Sequence, residues 1–139
     1  MKRLAKTVLM ICLLVSVSEV AMAQSGRLFS TYVRERGGKL VGDQYYLLSK
    51  KARQTEDASY VDGRIRIVSV GGPRTVKEMK FSARCAVHPD LKGSMPLAVT
   101  YDNFRTFEDV DPTDDTPSFG QRTSYNLWWA ACYGQFNKL

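Results

Sequence analysis

Two cysteines and one histidine stand closest to chemistry in this sequence. Cys85 and Cys132 lie 47 positions apart, and His88 follows Cys85 by three. A thiol near an imidazole suggests a nucleophile, a redox centre or a zinc site, and each reading lacks a part. On a strand, a separation of three turns Cys85 and His88 to opposite faces. No CxxC pair is present for thiol exchange. Two cysteines and one histidine do not fill a closed zinc site. No serine sits in a G-x-S-x-G elbow, and His88, beside Pro89 and Asp90, reads as a turn residue. No catalytic residue, metal ligand or cofactor site is assigned, and the chain is expected not to be an enzyme. The structural use of the sulfurs is a Cys85–Cys132 disulfide, with free thiols and redox chemistry as the alternatives.

The acids offer a second kind of chemistry. Glu108, Asp109, Asp111, Asp114 and Asp115 follow one another with no base between them. Asp109, Asp111 and Thr113 begin like a calcium-binding EF-hand loop. The sixth position should be glycine and is Asp114; the twelfth should be glutamate and is Gly120. The cluster therefore reads as a solvated acidic loop. The same clustering argues against a desolvated carboxylate pair for hydrolysis. Gly71-Gly72-Pro73 lacks the lysine and the following helix of a phosphate-binding loop.

A disulfide needs an oxidising compartment, and the first 23 residues suggest one. Lys2, Arg3 and Lys6 form a positive head, Thr7 to Val17 is almost wholly apolar, and Ala21-Met22-Ala23 offers small residues to a signal peptidase. That layout predicts a cleaved secretory signal over residues 1–23, with the cut after Ala23. The apolar run is shorter than the 20 or so residues of a membrane span. Cys12 lies inside it after Ile11, which does not suit a lipoprotein signal. The expected product is one exported domain, residues 24–139, periplasmic or secreted, with no membrane span after cleavage. Removing Lys2, Arg3, Lys6 and Glu19 from the 20 basic and 14 acidic side chains leaves a net charge of +4. The basic excess lies between Arg27 and Arg84. It suits an anionic envelope or host surface, or an acidic protein; no element looks like a nucleic-acid reader.

The elements that must place these residues differ in clarity. Leu28, Phe29, Tyr32 and Val33 follow helical spacing up to Gly37-Gly38, while Phe29 to Val33 would also suit a strand. Gln44 to Arg53 follows Asp43; its bunched Tyr45, Tyr46, Leu47 and Leu48 leave helix and strand open, and its basic end suits a helix terminus. Arg64 to Val70 alternates, with Ile65 and Ile67 opposite Arg64, Arg66 and Val68. Val76 to Val87 alternates too: Met79, Phe81, Ala83, Cys85 and Val87 on one face, Lys80, Ser82 and Arg84 on the other. The intervening Gly71-Gly72-Pro73 makes the two a hairpin with one wet face. Leu97 to Tyr101 is a third strand, and Asn103 to Gly120 a long surface loop. Thr123 or Ser124 caps a last helix with Leu127, Trp128, Ala131 and Cys132 on one stripe, ended by Gly134. Adjacent Trp128 and Trp129 diverge by about 100° around a helix, so one is core and the other lies at a border or on the surface.

Lys80-Phe81-Ser82-Ala83-Arg84-Cys85, Val99-Thr100-Tyr101 and Asn126-Leu127-Trp128-Trp129-Ala130-Ala131-Cys132 give the chain a layout. It resembles the small secreted bacterial domains of the surface-adhesin protein E type: signal peptide, short antiparallel sheet, a cysteine on a mid-chain strand, and a C-terminal helix with a second cysteine. The resemblance implies an envelope or surface location and protein binding without catalysis. The basic N-terminal region and the acidic loop depart from that pattern, so no binding residue carries over.

These readings combine into one expectation. The domain is α+β: a small antiparallel sheet of three to four strands packed against a C-terminal helix, with one or two helices before it and one disulfide. Its function is that of an exported binding module, adhesin-like or virulence-associated. The alternative is a periplasmic inhibitor or accessory protein of an envelope enzyme or secretion system. The partner is a protein or an anionic surface, met through Arg64, Arg66, Lys80 and Arg84, the acidic loop and Trp129.

Overall fold

Six strands follow one another in a single antiparallel sheet, each paired with the next, and curl into a half-barrel around one helix. The computed structural model describes residues 26–101 and 107–139. The expected signal peptide over residues 1–23 lies outside them. The strands are β1 (Arg27–Arg36), β2 (Lys39–Gln54), β3 (Ala58–Val70), β4 (Val76–Val87), β5 (Ala98–Tyr101) and β6 (Phe107–Asp109); helix α1 is Arg122–Tyr133. This corrects the α+β expectation of three to four strands with earlier helices. The chain is mostly sheet, and among the described residues α1 is the one α-helix.

The correction has a local cause. Gly37 and Gly38 both take positive φ, 59° and 77°. Two such residues make a tight hairpin turn, and Arg36 pairs with Lys39 across it. They join two strands; they do not stop a helix. The helix-like spacing of Leu28, Phe29, Tyr32 and Val33 comes from a bulge between Leu28 and Ser30. The bulge lets the consecutive Phe29 and Ser30 both bury, which breaks the alternation a strand would show. A second register shift, between Leu47 and Ser49, does the same in β2. The reading of Asn103 to Gly120 as loop also changes, since β6 lies inside it and pairs with β5.

The middle and the end match the sequence reading. β3 and β4 form the expected hairpin, with Ile65 opposite Met79 and Arg64 opposite Lys80. Ile65, Phe81, Ala83 and Val99 are fully buried on the concave face, where Leu127, Trp128, Ala130 and Ala131 of α1 meet them. Trp128 is the core member of the tryptophan pair, and its Nε1 donates to the carbonyl of Arg84 at 2.9 Å. Next to that contact, Cys85 and Cys132 form a disulfide with their Cα atoms 5.6 Å apart. Gly134 closes the helix in the left-handed conformation (φ 65°), its N–H donating to Ala130. The start of α1 differs from the expected cap. The helix grows out of a 3₁₀ turn, Phe119–Gln121, and neither Thr123 nor Ser124 caps it. No helix among the described residues is long and apolar enough to cross a membrane.

The convex face carries a polar network centred on Asp62. Arg53 donates to Asp62 from Nε at 2.6 Å and from Nη2 at 3.2 Å, and Ser82 Oγ donates to the same carboxylate at 2.6 Å. The Arg53 bond, with Ser82 adding to it, holds the Asp62 carboxyl below its ordinary value of 3.8 against the opposing effect of burial. A depressed carboxyl stabilises the fold above its unfolded value, and that contribution fades as pH falls through the folded value. The expected result is that stability drops below about pH 4 and that Asp62→Asn flattens this acid limb. The effect is small, about 1 kcal/mol or less, because solvent screens so exposed a pair. Urea midpoints for both proteins between pH 2 and 6 check it; parallel curves would remove Asp62 from the account.

Candidate functional site

The helix covers only part of the concave face. Beyond its first turn the sheet surface stays open, and the side chains there enclose a hollow of about 450 Å³. Tyr32 and Asp43 sit opposite each other on β1 and β2, and Tyr45 and Ile67 on β2 and β3. Ile65, Ile67 and Met79 supply apolar lining; Tyr101, Glu108, Gly120, Thr123 and Ser124 complete the wall. This mixture of an apolar surface with a few convergent polar groups is the usual make-up of a ligand site.

Three of the polar groups form a chain. Ser124 Oγ donates to the Glu108 carboxylate, and Tyr101 Oη lies 3.3 Å from Ser124 Oγ. The serine proton is committed to the carboxylate, so the tyrosine must donate to the serine. Ser124 is thus held on the wall from the first turn of α1, which explains why it does not cap the helix. Burial pushes the Tyr101 phenol well above its ordinary range, and the charge of Glu108 adds to that. Burial also raises Tyr45, helped by Asp43 and Tyr32. Both phenols therefore keep their protons at neutral pH. They can donate hydrogen bonds and present aromatic faces, but they do not serve as bases. Among the described residues no basic side chain lines the hollow, and the charged groups that do are Asp43 and Glu108.

The residues chosen from the sequence are placed elsewhere. Arg64, Arg66 and Lys80 lie on the convex face, as their alternation predicts. Arg64 and Arg66 both pair with Glu78, at 3.3 and 3.0 Å, while Lys80 is exposed. Arg84 shares that face and yet is buried. Its guanidinium lies 4.5 Å from the Phe107 ring centre and 5.6 Å from that of Tyr60, and donates to the Pro96 carbonyl at 2.9 Å. It is an interior residue, so it cannot offer a free surface contact. Trp129 takes the border position, half-buried among Trp128, Tyr125 and Tyr133, with Lys138 Nζ 4.2 Å from its ring centre.

The acidic loop is organised internally. Asp111 accepts from the Thr113 N–H and hydroxyl, and Asp114 accepts from the same groups of Thr116. These are side-chain turns, and the bonds from Thr113 hold Asp111 below the ordinary carboxylate range. His88 caps the 3₁₀ turn Pro89–Leu91 by accepting from the Asp90 N–H at 3.3 Å. Among the described residues, no group of three or more His, Cys, Asp or Glu side chains is placed to hold a metal ion.

A second hollow, of about 530 Å³, lies on the convex face beside Tyr46, Arg66 and Arg74. Its one acid, Glu78, is already engaged by Arg64 and Arg66, and Arg66 and Arg74 make its lining basic, unlike that of the concave hollow. The sequence reading missed the concave site because its residues come from all six strands and the helix start. One signal was available. Taking Gly37-Gly38 as a two-residue turn pairs Arg36 with Lys39 and, counting back, Tyr32 with Asp43. No protein-family model matches this chain, and no curated protein and no solved structure matches it either.

Proposed function

We propose that this chain is an exported, non-catalytic binding module, adhesin-like in the manner of the surface-adhesin protein E domains, which holds a protein partner at the open end of its concave face. The observation that carries the reading is the hollow beside the start of α1. Tyr101, Ser124 and Glu108 are fixed by bonds to one another, and the half-buried phenols of Tyr45 and Tyr101 stay protonated, which suits holding a ligand more than transforming one. The disulfide that ties α1 to β4 fits an oxidising compartment. The apolar lining and the half-open shape suit a side chain delivered from outside.

Phe119 stands at the mouth, 48% exposed and tilted against Tyr32 at 4.5 Å between ring centres. A photo-reactive phenylalanine there is a mild change that reports on whatever enters. Irradiating the exported form on intact envelopes or host surfaces is expected to give a discrete protein adduct. The same probe at the exposed Leu40, on the β1–β2 hairpin, should not. The isolated protein should begin at Gln24. Equal labelling at both positions would defeat the proposal. A single stoichiometric adduct with an envelope enzyme, accompanied by loss of that enzyme's activity, would replace adhesion with inhibition.

A further inference from the structure

Resting on that reading, we infer that the concave hollow recognises a basic side chain of the partner polypeptide, arginine above lysine. The argument is charge set against surroundings. The chain as a whole carries a formal +6, yet among the described residues no cation lines this hollow, and two acids, Asp43 and Glu108, do. Three tyrosines, Tyr32, Tyr45 and Tyr101, share the wall with them. Aromatic faces beside carboxylates are the surroundings that favour a guanidinium: the rings attract its charge, and the acids accept its fork of N–H donors. The apolar surface of Ile67 and Met79 suits the methylene stem, which packs on such surface while the head keeps its polar partners.

The acids are also unequally used. Glu108 already accepts from Ser124 through one oxygen, which leaves its other oxygen as a fixed acceptor. Asp43 stands across the strand pair from Tyr32. The next inward positions on β1, Arg34 and Arg36, are basic. The negative potential is therefore confined to the hollow, so one basic side chain fits it better than an extended cationic tract.

A capped Gly-Gly-Arg-Gly-Gly peptide, its lysine analogue and its citrulline analogue test this on the intact oxidised protein by NMR titration. Citrulline keeps the shape of arginine and removes its charge, so the comparison needs no variant and no refolding. Arginine is expected to shift the amide signals of Tyr32, Asp43, Tyr45 and Thr123 with an affinity about tenfold above that of citrulline. Lysine should fall between the two. Asp43→Asn should remove about the same factor for arginine and leave citrulline unchanged. Free N-acetyl-arginine amide should bind more weakly than the peptide if the source is a polypeptide; equal or tighter binding would make a small guanidine the ligand and overturn the assignment to a protein. Equal affinity for arginine and citrulline, shifts confined to the convex face, or no shifts at all would overturn the whole inference. The Phe119 adduct does not depend on these results. If it forms while the titration fails, the binding module stands and a basic side chain is not what it holds.

Discussion

A protein with Cys85→Ala and Cys132→Ala should unfold about 4 kcal/mol more readily than the oxidised chain, because the bond closes a loop of 47 positions. Total stabilities of such domains are about 5–15 kcal/mol, so the loss is a large share of the whole. The effect acts mainly on the unfolded chain, where the bond forbids most of the ways β4 and α1 could separate. The native geometry permits it: the Cα atoms stand 5.6 Å apart, and both residues pack against the core. Guanidinium melts of the oxidised, reduced and double-alanine proteins measure it. The reduced and alanine proteins should share one lowered midpoint. A midpoint equal to that of the oxidised protein would show that the sulfurs contribute nothing.

Trp128→Ala is expected to cost about 3–5 kcal/mol, as large aromatic truncations in a close-packed core do. Trp128 is 2% exposed and among the largest fully buried side chains of the described residues. It fills the space between α1 and β4, and its indole N–H satisfies the Arg84 carbonyl. Trp128→Phe separates the two roles. It keeps most of the packing and should lose about 1 kcal/mol for the hydrogen bond, with more if the carbonyl stays buried and unpartnered. Urea midpoints decide it, and a Trp128→Ala loss below about 1 kcal/mol would exclude this side chain as a core anchor. Cys132 lies one helical turn beyond Trp128, and Cys85 follows Arg84. The two lesions share a contact, so combining them should be non-additive.

Where the sequence alternated cleanly, its structure was legible. Ile65 and Ile67, then Met79, Phe81, Ala83 and Cys85, announce their faces, and the structure buries those that reach the core. The helix stripe that ends at Cys132 likewise identifies the partner of Cys85. The first two strands were illegible for a physical reason. Each carries a bulge, and β2 turns Tyr46 and Leu48 outward while Asp43 faces the hollow, so neither period dominates. Arg84 misled in the opposite way. It obeys the alternation, yet Phe107 of β6 and the Pro96 carbonyl cover it. No pattern within β4 reports a cover supplied by a later strand. The hollow follows the same logic: Tyr101, Glu108 and Ser124 meet only after the sheet has curled.

The two outermost strands of the sheet never pair with each other. Each leaves a row of backbone donors and acceptors that could template another chain, the first step towards fibrous growth. Both margins are blunted. β1 spans ten residues and carries Arg27, Arg34, Glu35 and Arg36, whose solvated charges resist a docking strand. β6, described over Phe107–Asp109, carries the exposed acids Glu108 and Asp109, whose charges do the same at the other margin. These guards keep an unclosed barrel from polymerising while its concave side stays open.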